Sequence, residues 1–299
     1  MLRSRLLAVS GAALLLASLA ACGGTTSSGS TSSAAAPSKV ATASASPSTN
    51  ACAKESLPLA TAGKLTIGTD DPAYEPWFKD GKPANGQGYE SAVAFAVAKQ
   101  MGFAATDVQW VVVPFTNAIT PGKKTFDFDI NQVSISEERR KAVDFSSGYY
   151  DVAQAVITYK GSPIDGKTSV ADLAGAKLGA QVGTTSYKAI TDQIKPTKAP
   201  AVYDTNDLAV QALKNKQIDG IVADVPTAFY MTAAQLDNGV IVGQLPAAGG
   251  AQEQFGLVLA KGSGLTACVS KAVDALRADG TLAKLATQWL TNAGAPALK

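Results

Sequence analysis

The 299-residue sequence contains no histidine, and this absence excludes several kinds of catalytic and metal-binding site. A Ser-His-Asp or Cys-His catalytic centre needs an imidazole base, and His-ligated zinc or haem needs an imidazole ligand. A histidine pH switch is excluded for the same reason. Charge is also scarce and nearly balanced, with 26 Lys and Arg against 24 Asp and Glu. We therefore expect no nucleic-acid partner, no metal site and no cofactor.

The one long apolar run is residues 6–21, which follows Arg3 and Arg5 at the N-terminus. As a helix this run reaches about 24 Å, which is less than the ~30 Å hydrocarbon core of a bilayer. A basic start, a short apolar run and small residues at its end indicate a secretory signal peptide, which we place at residues 1–21. The run ends in Leu-Ala-Ala-Cys, which resembles the bacterial lipobox, so we expect a lipid on Cys22. An ordinary signal peptide with a cysteine nearby is the alternative.

Residues 22–51 have the composition of a linker. Between residues 23 and 50, all but three residues are Gly, Ser, Thr, Ala or Pro. Such a segment cannot bury enough apolar surface to offset its ordering entropy, so we predict a disordered linker that reaches roughly 30 Å. Removal of the signal peptide leaves 24 cations against 24 anions. We therefore expect the lipid, rather than charge, to hold the protein at the extracytoplasmic face of the cell membrane.

Two cysteines, Cys52 and Cys268, remain beyond the linker. In an exported protein, an even number of remaining cysteines suggests one disulfide. Here it would join the start of the folded part to its last helices. The chain-entropy model gives such a long loop a stabilisation of up to about 5 kcal/mol. Two separate buried thiols are the alternative.

The body of the chain alternates strand patterns with helix patterns, which predicts an α/β protein with parallel-rich sheets and enough residues for two domains. The run at residues 108–113 is dense in β-branched residues, which favours a strand buried on both faces. Helices are predicted at residues 90–101, 137–141, 207–216 and 265–276. Strands are predicted at residues 64–69, 108–113, 126–130, 151–160, 177–182 and 220–223.

The most informative stretch is residues 131–146, which read NQVSISEERRKAVDFS. This stretch resembles the signature of polar amino acid substrate-binding proteins of ABC importers, the bacterial solute-binding protein family 3. The resemblance runs from about residue 64 to residue 290 and includes five further motifs in the family's order. These motifs are Gly68-Thr69-Asp70, Gly88-Tyr89-Glu90, Gly183-Thr184-Thr185-Ser186, Asp224 in VADVP, and Gln254-Phe255-Gly256.

The resemblance implies an α/β fold with two lobes, the type II periplasmic-binding-protein fold, in which two hinge strands join the lobes. On this expectation residues 52–153 plus 250–299 form the first lobe, and residues 154–249 form the second. The chain then crosses between the lobes near residues 151–154 and again near residues 249–252.

The resemblance also implies a clamp for the α-carboxylate of a free amino acid. Arg139 matches the family arginine that binds this group, and a planar guanidinium suits a carboxylate because it bonds both oxygens. A solvated charge is the alternative, and it fits Arg140 and Lys141 better. The turn that contains Thr184 and Thr185 supplies N–H groups for the same carboxylate, with simple N-capping as its alternative.

The α-ammonium is expected to meet Asp224, Ser134 and the carbonyl of Gln132. Asp224 matches the family acid that pairs with this group, although an isolated Asp before a helix is more often an N-cap. Family members commonly carry glycine where Gln132 stands. The side-chain pocket maps to Asp70, Tyr74, Trp77, Phe115 and Gln181. Its three aromatic residues are alternatively ordinary core or rim residues, and Asp70 favours a cationic or amide group.

These expectations describe a binding protein and not an enzyme. The chain is interpreted as the monomeric, lipid-anchored component of an ABC importer, which binds a free polar amino acid between its lobes and delivers it to a membrane permease. Two alternatives are an amino-acid-sensing partner of a separate receptor and an enzyme on the same scaffold, similar to cyclohexadienyl dehydratase.

Overall fold

A computed structural model of the protein describes residues 51–250, 252–290 and 294–299. The predicted signal peptide, the predicted lipidation site Cys22 and the predicted linker up to residue 50 lie outside the described residues. Within the three described ranges, no helix combines the length and the apolar character needed to cross a bilayer.

Ten strands in the described residues form two five-stranded sheets. They are β1 (Leu65–Thr69), β2 (Val108–Val112), β3 (Phe128–Asp129), β4 (Val143–Val152), β5 (Gln154–Tyr159), β6 (Leu178–Gln181), β7 (Ala201–Tyr203), β8 (Gly220–Asp224), β9 (Gly239–Gln244) and β10 (Glu253–Ala260). The first sheet has the order β2-β1-β3-β10-β4, and the second has the order β7-β6-β8-β5-β9. We call the part of the chain built on each sheet the first and the second lobe.

Both sheets mix parallel and antiparallel pairs, so the expectation of parallel-rich sheets holds only in part. In the first sheet β1 runs parallel to β2 and β3, whereas β10 runs antiparallel to β3 and β4. In the second sheet β6 runs parallel to β7 and β8, whereas β5 runs antiparallel to β8 and β9. The antiparallel strands β5 and β10 are the ones that enter each sheet after a crossing between lobes.

Helices cover the sheets and complete the two hydrophobic cores. In the first lobe, Val93 and Val97 pack with Val269 and Val273 against strand residues such as Ile67. The helices are α1 (Tyr89–Gln100), α2 (Phe115–Ile119), α3 (Glu137–Arg140), α4 (Thr185–Ala189), α5 (Asn206–Lys214), α6 (Val225–Tyr230), α7 (Thr266–Ala278) and α8 (Thr281–Trp289).

The start of α1 depends on a glycine. Gly88 has a φ of 91°, which is in the region that favours glycine, and a Cβ at this position would overlap the carbonyl group of Trp77. That carbonyl accepts the N–H of Glu90 at 3.0 Å, so it satisfies one of the free donors in the first turn. The Gly88-Tyr89-Glu90 motif therefore fixes where α1 begins and places Glu90 in its first turn.

The segment predicted as one strand at residues 151–160 belongs to two strands in different sheets. β4 ends at Val152 and β5 begins at Gln154, so the chain passes from the first sheet to the second at Ala153. The prediction was wrong here because apolar periodicity records burial and not which sheet a residue joins. The return crossing lies between Gln244 of β9 and Glu253 of β10.

The prediction that residues 108–113 are buried on both faces was also wrong. β2 is the edge strand of the first sheet, its side chains are at most half-buried, and Val112 is 67% exposed. An apolar run does not by itself distinguish an edge strand from a central one, because both can pack one face on a core.

The C-terminal tail returns to the second lobe. Leu298 packs among the buried residues of the second sheet, and the carbonyl of Lys299 accepts the N–H of Val170 at 2.9 Å. The predicted first lobe extended to residue 299, so residues 294–299 differ from that expectation. The remaining lobe boundaries stay a prediction.

Cys52 and Cys268 form a disulfide, with their Cα atoms 5.4 Å apart. Cys268 belongs to α7 and packs in the first core, and Cys52 lies at its border. The bridge therefore joins the beginning of the folded chain to a helix near its end, within one lobe.

We predict that Cys268→Ser lowers the free energy of unfolding by roughly 2–5 kcal/mol, because it releases a loop of 216 residues in the unfolded chain. Cys52→Ser is the matched control and should cost the same amount, and the double variant should cost no more than either single one. Urea denaturation measures all three. If the double variant lost the sum of the two single decreases in the free energy of unfolding, the two cysteines would be independent thiols.

Candidate functional site

A small cavity lies between the two lobes. Both lobes line it, because β1, α2 and α3 approach it from one side and β6, α4 and β8 from the other. Its lining consists of Asp70, Tyr74, Phe115, Asn131, Gln132, Arg139, Gln181, Thr184, Thr185, Ser186, Asn206, Ala223, Asp224 and Thr227.

Arg139 crosses from the first lobe to the second. Its Nη1 donates to the carbonyl of Ser134 at 2.7 Å, and its Nη2 donates to the carbonyl of Gly183 at 2.8 Å. Its guanidinium carbon lies 5.6 Å from the centre of the Phe115 ring, a cation–π distance. Burial lowers the pKa of Arg139, while the charges of Glu253 and Asp224 oppose this shift. A guanidinium has five N–H donors, so donors remain for an anion in the cavity.

Arg140, the next residue, has a different environment. Its side chain is 42% exposed, and it makes a 3.6 Å ion pair with the exposed Glu137 one turn earlier. The two neighbouring arginines therefore have different surroundings, with Arg139 at the cavity and Arg140 on the solvated side of the same turn.

The turn at Gly183 presents backbone donors to the cavity. Gly183 has a φ of 73°, and the hydroxyl of Thr184 caps α4 by accepting the N–H of Tyr187 at 3.1 Å. The N–H groups of Thr185 and Ser186 have no acceptor within the described part of the chain. Thr184 is thus an N-cap, and the two free N–H groups that follow it can bind an anion.

Asp224 provides the negative charge on the opposite side. It stands at the N-cap position of α6, yet its side chain does not cap the helix. Instead its Oδ1 accepts the side-chain amide of Gln154 at 2.8 Å. Burial raises the pKa of Asp224 well above its usual range, and the nearby charge of Glu253 raises it further. A cation placed against Asp224 would therefore relieve an unfavourable burial of negative charge.

Gln154 is a site residue that the sequence analysis missed. It is 4% exposed, opens β5 at the crossing between lobes, and donates from one nitrogen to both Asp224 and Glu253, the latter at 3.2 Å. Its Oε1 accepts the hydroxyl of Ser186 at 2.7 Å. The feature of the sequence that could have indicated its role is that Gln154 is the one amide side chain in the apolar run VAQAVIT.

The other predicted residues fall into two groups. Gln132 lines the cavity, whereas Ser134 lies just behind it, with its hydroxyl 3.2 Å from that of Thr185. Of the predicted side-chain pocket, Asp70, Tyr74, Phe115 and Gln181 line the cavity, and Trp77 does not. Lining residues that the sequence analysis did not propose as ligand contacts are Asn131, Ser186, Asn206, Ala223 and Thr227.

Asp70 and Tyr74 shape the side of the cavity near the loop after β1. The carboxylate of Asp70 accepts the N–H of Phe115 at 3.1 Å, so its position is fixed while its charge stays unpaired by any ion pair among the described residues. Burial and the charge of Asp207 raise the pKa of Tyr74. Since Asp207 belongs to α5, the charge that acts on Tyr74 comes from the second lobe.

Trp77 links the lobes without lining the cavity. Its ring is fully buried in the first core, in edge-to-face contact with Tyr89, Tyr150 and Phe255. Its Nε1 donates to the hydroxyl of Thr227 in α6 at 2.9 Å. The prediction that Trp77 belongs to the side-chain pocket stays untested, but its position favours a role in holding the lobes together.

The cavity thus places a guanidinium and free N–H groups opposite a carboxyl group, across two lobes that are joined by short crossings. This charge pattern is complementary to a small molecule that carries both a carboxylate and an ammonium group. Among the described residues, no group of three or more acidic or cysteine side chains is arranged to hold a metal ion.

Comparison with known proteins identifies the class. Residues 65–292 match the family model of the bacterial extracellular solute-binding proteins, family 3. ABC transporter arginine-binding protein 1 of Escherichia coli K12 is 30% identical over 239 residues, which is 76% of this chain and 91% of that protein. L-cystine-binding protein TcyJ of the same strain is 28% identical over 230 residues, 76% of this chain and 82% of that protein.

A solved structure shows the same architecture. The ancestral amino acid-binding protein AncCDT-1, described as a precursor of cyclohexadienyl dehydratase, is 28% identical with a TM-score of 0.62, covering 77% of this chain and 96% of that one. The fold is therefore the two-lobed α/β fold of periplasmic amino acid-binding proteins. The chain belongs to the bacterial extracellular solute-binding proteins, family 3.

We predict that Thr227→Val weakens the contact between the lobes. Valine keeps the shape of threonine but removes the acceptor for Trp77 Nε1, and a buried unsatisfied donor costs about 1–3 kcal/mol unless the lobes separate to hydrate it. Small-angle X-ray scattering should give a larger radius of gyration for this variant. Thr227→Ser keeps the hydroxyl and is the control. Equal radii for Thr227→Val and wild type would contradict the prediction.

Proposed function

We propose that the protein binds a free polar amino acid in the cavity between its lobes and delivers it to the membrane permease of an ABC importer. The observation that carries the proposal is that Arg139 and Asp224, which have opposite charges and belong to different lobes, line one cavity. Membership of the family and the amino acid-binding relatives support the same function.

In this proposal the α-carboxylate binds the remaining donors of Arg139 and the free N–H groups at the start of α4. The α-ammonium binds Asp224, where it offsets the negative charge that burial disfavours. Because the two anchors come from different lobes, the ligand stabilises the closed arrangement more than an open one, which is the requirement for ligand-driven closure.

The ligand's side chain is proposed to be cationic or to end in an amide. Asp70 and Asp224 line the cavity with Arg139 as the one cationic side chain of that lining. A zwitterion adds no net charge, so the occupied site keeps an excess negative charge beside Asp70. A cationic or amide group compensates that charge, and a carboxylate is repelled. The two curated relatives bind arginine and cystine according to their names.

Two alternatives are weaker. A dehydratase acting on a carbocyclic acid would need an acid–base pair at the reacting ring and no anchor for an ammonium group, and the similar ancestral structure is itself named an amino acid-binding protein. A sensor would bind the same ligand and then interact with a separate receptor. It differs from an importer component only in its membrane partner. We propose a monomer without bond-making chemistry.

The proposal predicts a selective thermal shift. A ligand present at 100 times its dissociation constant adds about 2.7 kcal/mol to the free energy of unfolding. We expect arginine, lysine or glutamine to raise the melting temperature and glutamate to leave it unchanged. If none of the amino acids shifts the melting temperature, the proposed function is wrong.

The two neighbouring arginines allow a matched test of the clamp. Arg139→Ala removes a charge-assisted bidentate contact, which should cost roughly 3 kcal/mol or more, or over a hundredfold in affinity. Arg140→Ala removes an exposed charge and should change affinity by less than about twofold. Isothermal titration with the amino acid selected by the thermal screen measures both. Equal affinities of the two variants would show that Arg139 is not the carboxylate anchor.

Attachment to the membrane is proposed to occur through a lipid on Cys22. We predict that Cys22→Ala moves the protein from the membrane fraction to the soluble fraction, or leaves it as an unprocessed precursor. Mass spectrometry of the wild-type N-terminus should find a lipidated cysteine. An unmodified residue at the mature N-terminus would contradict the prediction.

A further inference from the structure

Glu90 is a fully buried acid that the proposed clamp does not use. It lies in the first turn of α1, behind the cavity, and is 0% exposed. Its carboxylate accepts three hydrogen bonds, from the backbone N–H of Gln132 at 2.7 Å, from the side-chain amide of Gln132, and from the hydroxyl of Tyr149. Two of its three donors therefore belong to one residue of the cavity lining.

Gln132 needs such support. Its φ is 49°, in the left-handed region that disfavours residues with a Cβ. Glu90 accepts from the backbone N–H of Gln132 and from its side-chain amide. Neither oxygen of Gln132 accepts a hydrogen bond from a donor in the described chain. The residue thus keeps two acceptors without a partner in the described chain, at the lining of the cavity.

We propose that Glu90 is a positioning residue of the ligand site, whose carboxylate holds Gln132 in the left-handed conformation with its oxygens available to a cationic group of the ligand. This inference rests on the proposed function. Glu90 acts through Gln132, because the acid itself does not line the cavity. A neutral acid would hold Gln132 less firmly, because the oxygen that carries the proton is a poorer acceptor than a carboxylate oxygen.

The ionisation of Glu90 falls in an accessible pH range. Burial raises its pKa to about 7, although the hydrogen bonds from Tyr149 and Gln132 oppose this shift. The titratable groups that face it are Tyr89 and Tyr149, together with Asp129 and Asp224, two buried acids whose pKa values its charge helps to raise. Neighbouring acids favour the neutral form of Glu90, so the surroundings keep its pKa raised.

The direction in which pH changes the ligand affinity depends on which ionisation state of Glu90 supports binding. The ionised form holds Gln132, so affinity is highest above the pKa and declines as pH falls through 7. If only the ionised form binds, the dissociation constant rises about tenfold between pH 8 and pH 6. Asp224 can add to the decline at lower pH, and the variants below separate the two acids.

Titration calorimetry on wild type, Glu90→Gln, Gln132→Gly and the double variant at pH 6, 7 and 8 tests the inference. Glu90→Gln should bind about tenfold more weakly at pH 8 and lose the step near pH 7. In the Gln132→Gly background, glycine adopts a positive φ unaided, so Glu90→Gln should cost less than about twofold. Glu55→Gln, an exposed acid far from the cavity, is the control and should match wild type.

The outcomes separate this inference from the proposed function. Absence of amino acid binding to wild type would contradict the proposed function itself. Binding with an equal Glu90→Gln penalty in both backgrounds, or with an unchanged pH profile in Glu90→Gln, would overturn the positioning role alone. If Glu90→Gln does not fold, wild type and Gln132→Gly still decide, because the step near pH 7 should shrink in Gln132→Gly and its persistence would overturn the inference.

Discussion

A positive charge buried between the two lobes is the constraint on which the site depends. Arg139 is 9% exposed, and no ion pair among the described residues includes it. Its hydrogen bonds go to neutral carbonyls of Ser134 and Gly183, one in each lobe. Burial of a charge without a counter-ion in direct contact is costly, so the guanidinium both ties the lobes together and favours an anion beside it.

The negative side of the cavity is connected to the crossing between the lobes. Gln154 begins β5 directly after the crossing, and its amide bonds the carboxylates of Asp224 and Glu253. Glu253 begins β10 directly after the return crossing. In the proposed function, a change in the charge at Asp224 would therefore act on the two places where the chain passes from one lobe to the other, and so would connect ligand binding to lobe movement.

Much of this arrangement could be predicted from the sequence, because the family motifs occur where strands end. Arg139 and Asp224 stand in such motifs, and both line the cavity. Gln154 could not be predicted in the same way. Its neighbours are apolar, and its role appears only when β5 pairs with β8, which brings Gln154 beside Asp224. Pairing between strands far apart in sequence is not recorded in local periodicity.

Similar reasoning explains the errors in the fold. The run at residues 108–113 looks like a central strand, and only the sheet order shows that β2 lies at an edge. The apolar pattern at residues 151–160 looks like one strand, although the chain changes sheet at Ala153, within the crossing that the family resemblance implies near residues 151–154. In each case the missing information is tertiary.

A crystal structure with the amino acid selected by the thermal screen tests the central claim most directly. The account predicts electron density for the ligand between the lobes, with its α-carboxylate within hydrogen-bond distance of Arg139 and its α-ammonium within hydrogen-bond distance of Asp224. A ligand bound outside this cavity, or one inside it whose carboxylate does not contact Arg139, would contradict the account.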